Sequence, residues 1–169
     1  MHNLIDVIME NQDYIMQVVM DETGKPIQEA MSMEIYSAID SLAFYAKRAP
    51  KWLKDESRSM HGPMQFLKKT KVAFKPRGVI GVITPWNGPF ILSINPAIQA
   101  VLAGNSVIIK PSEVTPKSGM LVEEMFKKAD APDNLVQVLI GDGQVGADLI
   151  NFKPDKVSFT GRIKTGKLI

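Results

Sequence analysis

The sequence contains no cysteine. Within its 169 residues that excludes disulfides, thiolate metal sites and a cysteine nucleophile. Histidine occurs only as His2 and His61, each without neighbouring acids or ligand spacing, so no metal site is expected and both should lie on solvated surface. An excess of one charge is also missing. Twenty Lys and Arg stand against 18 Asp and Glu, with the signs interspersed, which points away from nucleic acid as a partner. No apolar run approaches the roughly 20 residues needed to cross a bilayer. The opening MHNLIDVIMENQ carries acids where a secretory signal carries bases. A soluble, cytoplasmic protein with no membrane partner is the expectation. There is no internal repeat, low-complexity tract or linker, so a single structural unit is expected.

What is present is periodic. From Leu4 to Met20, apolar residues recur at spacings of three and four, which predicts an amphipathic helix; Gly24 and Pro26 stop it. A second long helix is expected from about Ile27 to Leu53. Between Gly62 and Lys75, Met64, Phe66, Val72 and Phe74 are interrupted by Lys68, Lys69 and Lys71, which suggests one or two exposed strands with lysine-protected edges. Gly78–Ile83 is a short apolar run of the kind buried on both faces of a parallel sheet. Beyond it, segments of strand character at Ser106–Ile109, Leu135–Ile140 and Val157–Phe159 alternate with helical ones at Phe90–Leu102, Ser118–Lys128 and Gly146–Ile150. The alternation predicts right-handed βαβ crossovers and an α/β, doubly wound parallel sheet preceded by two long helices. The last residues, Lys167–Ile169, fall inside a helix just begun after the fourth strand, so an incomplete domain is expected.

Open α/β sheets bind ligands at the carboxyl ends of their strands, which directs attention to four segments. Thr84-Pro-Trp-Asn-Gly-Pro89 holds a rigid turn: either Trp86 simply packs beneath it, or Asn87 presents an amide donor to a reacting oxygen. Lys110-Pro-Ser-Glu113 sets a cation and a carboxylate three residues apart, where an acid can accept from ribose hydroxyls. The alternative is a helix start capped by Ser112 or Thr115, with Glu113 near its positive end. Gly141-Asp-Gly143-Gln-Val-Gly146 matches G-x-G-x-x-G, but it follows the third strand and lacks an acid some 20 residues on, so a glycine-rich turn is the better reading. Gly161–Lys167 falls one residue short of a P-loop because Leu168 replaces the magnesium-binding hydroxyl, which argues against a nucleotide hydrolase. Glu123 and Glu124 are expected on a solvated helix face.

Taken together and in this order, the segments Glu22-Thr-Gly-Lys-Pro26, Pro76-Arg-Gly-Val79, Pro85-Trp-Asn-Gly-Pro89, Leu102-Ala-Gly-Asn105, Lys110-Pro-Ser-Glu113 and Phe159-Thr-Gly161 with Gly166 resemble the cofactor-binding part of the NAD(P)-dependent aldehyde dehydrogenases. The resemblance implies a Rossmann-like cofactor domain: residues 1–60 helical, 62–76 strands of an oligomerisation arm, and 77–169 the βαβ core. It implies that Asn87 donates its amide to an oxyanion, that Lys110 and Glu113 hold the adenosine ribose beside Ser112, and that Ile83, Thr84, Pro85 and Trp86 line the cofactor channel. Gly141 to Gly146, with Gly143 among the cofactor-binding residues, would help form the adenosine side, and Phe159, Thr160, Gly161 and Arg162 would face the pyrophosphate.

Two departures stand out. Arg162 occupies a position that is usually Ser in the family, where it could pair with phosphate or obstruct the pocket. The family's nucleophile is a Cys and its base a Glu, and both would lie beyond Ile169. The resemblance therefore implies a truncated enzyme whose longer form oxidises an aldehyde to an acid with NAD or NADP, the catalytic domain being absent and the chain inactive alone, with Met1 an internal start. A non-catalytic dinucleotide-binding or purely structural fragment is the alternative. Glu113 favours NAD, since it would repel a 2′-phosphate. The family associates as homo-oligomers, which leaves the state of this chain open.

Overall fold

An asparagine divides the first predicted helix. Asn11 adopts φ −104° and ψ 12°, and its side-chain amide donates to the Val7 carbonyl at 2.7 Å. This local competition for a helix carbonyl ends α1 (His2–Glu10) and starts α2 (Gln12–Thr23). In the computed structural model, which describes residues 1–169 apart from the Met64 side chain, α2 closes as expected on Gly24. That glycine takes the left-handed conformation, φ 71°, and donates to Met20. Pro26 is extended and opens one continuous rod: α3 (Ile27–Glu29), a π-helical stretch (Ala30–Tyr36) and α4 (Ser37–Trp52). The expected helix over residues 27–53 is therefore present, but with a wide turn in it that the apolar spacing did not announce.

The helical assignment of residues 1–60 needs correction at its end. Glu56–Arg58 forms β1, paired antiparallel with β2 (Thr70–Val72), so that Ser57 faces Lys71. Gly62–Lys75 contributes only that one strand and a 3₁₀ turn at Pro63–Phe66. Every residue of both strands is exposed and each strand is three residues long, so burial left no alternating imprint in β1.

The main sheet is parallel throughout, in the order β5 (Val136–Val138), β4 (Ser106–Lys110), β3 (Val79–Ile83), β6 (Lys156–Phe159). The chain runs outward through α5 (Ile91–Leu102) and α6 (Pro116–Lys128). It then returns through α7 (Gly143–Asn151) to place β6 on the other side of β3 and forms the short α8 (Ile163–Gly166), which stops before Lys167–Ile169 instead of including them as expected. Side chains alternate along β3, which separates the faces. Ile80 and Val82 join the core formed with Ile94 and Ile98 of α5, whereas Gly81 faces Leu149 of α7 and Pro154. α5 and α7 thus cover opposite faces, the doubly wound arrangement expected. α1, α2 and α4 form a further layer over α5 and α6, burying Leu4, Ile8, Ile15 and Leu42 in the same core.

Side-chain clamps fix the sheet. Asn105, after the Leu102-Ala-Gly turn, accepts from the N–H groups of Arg77 (2.6 Å) and Gly78 (3.0 Å) and donates to the Ala100 carbonyl, tying the start of β3 to that of β4. Glu123 accepts from Val138 N–H at 2.8 Å and occupies a donor of edge strand β5, so it is not merely a solvated charge. His2 and His61 are exposed as expected.

Candidate functional site

The carboxyl ends of β3, β4 and β6 are held level by bonds that continue the ladder past the strands. Thr84 N–H donates to the Lys110 carbonyl (3.2 Å) and Thr160 N–H to the Ile83 carbonyl (3.0 Å). The chain departs in different directions after these bonds, as expected where strand order reverses, and a cleft of about 420 Å³ opens there.

One wall is formed by Ile83, Thr84 and Pro85 after β3, and the next by Lys110, Ser112 and Glu113 after β4. Gly143 at the start of α7 closes one end, and Phe159, Thr160, Gly161 and Arg162 close the other. The sequence-predicted residues are thus brought together with two exceptions. Trp86 and Asn87 stand outside the cleft, at the exposed apex of the turn. Trp86 is 52% exposed, so it does not pack beneath the turn. The Asn87 side chain is likewise exposed, and its amide makes no hydrogen bond among the described residues.

Lys110 dominates the floor. The residue is 4% exposed, its aliphatic stem passes Gly146, and its ammonium lies 3.1 Å from a Glu113 carboxylate oxygen. The Glu113 side chain is 59% exposed. Its own backbone N–H, and then the Lys110 ammonium, hold its carboxyl below the usual glutamate range, against opposing contributions from partial burial and Asp142. The result is an ionised acceptor at the mouth of the cleft, beside a buried cation.

Phe159 explains two glycines. A Cβ on Gly161 would lie 2.5 Å from the edge of the Phe159 ring, and one on Gly166 would lie 3.2 Å from it. The loop and α8 therefore close over this ring only because both positions lack side chains. Gly143 differs: a Cβ there would meet nothing within 4 Å, since the space beside it is the cleft itself. Asp142 caps α7 by accepting from Gln144 N–H at 2.9 Å, which starts the helix at Gly143, three residues earlier than predicted.

Gly146 lines the cleft on the inner face of α7, but sequence reasoning missed its neighbours there, Ala147, Ile150 and Asn151, and also Thr165, Leu168 and Ile169. It missed two carboxylates behind the site as well. Glu34, wholly buried in the π-helical stretch, pairs with Lys25 and accepts from the N–H groups of Phe90 (3.1 Å) and Ile91 (2.9 Å) at the start of α5. Glu22 accepts from the N–H groups of Lys117 (2.9 Å) and Ser118 (2.7 Å) and from the Ser118 hydroxyl (2.6 Å) at the start of α6. Thr115 holds the position before α6 but does not cap it: its buried hydroxyl has no partner among the described residues. The Ser112 hydroxyl accepts only from Val114 N–H, at 3.3 Å. The helix-start reading of this segment was therefore right about the helix and wrong about its cap.

The family model described as "Aldehyde dehydrogenase family" matches residues 1–169. The chain belongs to the aldehyde dehydrogenase family. Among its relatives, the 4,4′-diapolycopene aldehyde oxidase of a Methylomonas species is 45% identical over 163 residues, covering 96% of this chain and 31% of that protein. A putative NADP(+) succinate-semialdehyde dehydrogenase of Mycolicibacterium smegmatis is 36% identical over 169 residues, covering 100% of this chain and 32% of that protein. The structure of a Bacillus cereus aldehyde dehydrogenase, described as its NAD+ complex, superimposes with a TM-score of 0.90 at 30% identity, covering 98% of this chain and 33% of that one. This aldehyde dehydrogenase chain thus spans about a third of the length of the relatives it matches. Its sheet is the Rossmann-like sheet of the family's N-terminal part. The family uses NAD or NADP and acts on aldehydes. No helix among the described residues is long and apolar enough to cross a membrane.

Proposed function

We propose that the cleft binds the adenosine and pyrophosphate portions of a nicotinamide dinucleotide, NAD in preference to NADP. We further propose that this chain is the nucleotide-binding part of an enzyme that oxidises an aldehyde to a carboxylic acid. The observation carrying this reading is the Lys110–Glu113 pair, a buried ammonium and an ionised, accessible carboxylate at the end of β4 and beside the point where strand order reverses. The residues fit such a group. Glu113 offers acceptors for ribose hydroxyls, Lys110 offers a donor, and the open space at Gly143 accommodates what a side chain would fill. Thr160, Gly161 and Arg162 would lie along the pyrophosphate, where a guanidinium suits the charge. The cofactor, when bound, supplies a hydride acceptor. Glu113 disfavours a 2′-phosphate by like charge, and this supports NAD; Arg162 opposes that preference only in part, because it is exposed to solvent.

Asn87 is assigned the donor to the oxygen that gains charge as the aldehyde is attacked. Its exposed, unpartnered amide suits a task completed by a neighbouring part of the enzyme. The chain supplies no thiolate, so the attacking nucleophile comes from outside these residues.

Titrating the chain with NAD in a calorimeter tests the reading. Lys110→Ala removes a charge-assisted contact of about 1.5–3 kcal/mol, so affinity should fall about 10- to 100-fold. Absence of binding heat from the wild-type chain would overturn the assignment of the cleft.

The lowered Glu113 pKa gives a pH signature. A group whose folded-state pKa is depressed contributes stability above its unfolded-state value, and that contribution disappears as pH falls through the folded one. The carboxylate contribution to ADP affinity should follow the same course, persisting from neutral pH down through the ordinary glutamate range and disappearing only below it. Glu113→Gln should remove this acid limb. A difference in affinity between wild type and Glu113→Gln that declines well above the ordinary range, about 4.3, would contradict the assignment, since the comparison cancels the titration of the ADP phosphate itself.

A further inference from the structure

Glu113 is held by a loop of five residues, Pro111–Thr115, between β4 and α6. Its side chain is mostly exposed and has Lys110 as its one side-chain partner among the described residues, so the backbone of that loop decides where its carboxylate stands. The downstream anchor of the loop is the first turn of α6. That turn begins with Pro116, and the preceding Thr115 leaves the donors of the turn unserved. Glu22 takes them instead, from α2 in the outer helical layer, with three hydrogen bonds across 95 and 96 residues of sequence.

We propose that Glu22 is a positioning residue for nucleotide recognition: by holding the start of α6 it keeps Ser112–Glu113 in the geometry that reads ribose hydroxyls. Glu22 does not line the cleft and is no binding residue. Its effect passes through α6, whose buried Ser118 donates both its backbone N–H and its hydroxyl to one carboxylate oxygen of Glu22. Burial of the anchor makes the arrangement stiff, because a first turn stripped of its acceptor either frays or shifts to find water. The outer layer therefore does more than cover α6; it sets the position of a side chain in the cleft. This proposal rests on the nucleotide reading above.

The experiment measures the affinity of the 169-residue chain for ADP and for 2′,3′-dideoxy-ADP, together with the thermal midpoint. The wild type should prefer ADP. Glu22→Gln should reduce that preference about fivefold, the value of a displaced hydrogen bond, while leaving dideoxy-ADP affinity unchanged. In a Glu113→Gln background, the same substitution should cost nothing further. Leu42→Val, a core change in α4 that lowers the midpoint, should leave the preference intact. Ser118→Ala, which deletes one of the three contacts, should shift the preference in the same direction and keeps the test decisive should Glu22→Gln not fold. A Glu22→Gln preference equal to wild type overturns the proposal, as does an equal loss in Leu42→Val, since either makes Glu22 a general stabiliser. A wild-type chain that binds neither nucleotide overturns the nucleotide reading itself.

Discussion

Glu34→Ala is expected to lower the unfolding free energy by about 3–5 kcal/mol, the usual consequence of removing one partner from a buried ion pair. The carboxylate is wholly buried and serves three donors: the Lys25 ammonium and the N–H groups of Phe90 and Ile91. Alanine would leave a cation with a 10% exposed side chain unpaired and two donors at the head of α5 without an acceptor. Against a typical domain stability of about 5–15 kcal/mol, that is enough to leave part of the population unfolded. Urea unfolding followed by circular dichroism would read it, with Glu34→Gln as the milder comparison because an amide oxygen still accepts. An unchanged midpoint for the alanine variant would show that these bonds are not maintained in solution.

Asn87→Ala should have the opposite profile, a large effect on turnover and almost none on folding. In an enzyme that carries this chain together with its nucleophile, losing one donor to the developing oxyanion should reduce kcat by about 10²–10³-fold, or roughly 2.7–4 kcal/mol. The thermal midpoint should not move, because the side chain is exposed and makes no hydrogen bond among the described residues. Both ends of its loop are fixed independently: Thr84 shares a hydroxyl hydrogen bond of 2.8 Å with Ser93, and Glu34 holds Phe90 and Ile91. Steady-state kinetics beside a melting curve separates the two effects. A variant with undiminished kcat would remove Asn87 from the chemistry.

The parallel core was legible because its physics is local and repetitive. A run such as Val79–Ile83, apolar on both faces, has few other places to go, and the segments after each strand carry their turn residues in sequence. Of the predicted residues that met in the cleft, all but Gly143 lie within three positions of a strand end. What remained hidden depends on distance along the chain. Glu34 lies 56 residues from Phe90 and Glu22 lies 95 from Lys117, and nothing in the spacing of either glutamate marks a partner so remote. The inner face of α7 was hidden for a related reason. Ala147 and Ile150 look like ordinary core positions until the return of the chain to β6 turns them toward the cleft. Asn11 was missed because one side-chain hydrogen bond overrode an otherwise unbroken apolar periodicity.

The π-helical stretch at Ala30–Tyr36 amounts to a single extra residue accommodated within a helical rod. Removing one residue from it would let the rod relax to an unbroken α-helix whose two halves keep nearly the same faces, because the wide turn already absorbs the extra residue. What would be lost is the wide turn itself, which carries Glu34 to the start of α5, although every side chain that it needs was still encoded. Over evolutionary time this segment should accept substitutions at its exposed positions more readily than a change in its length.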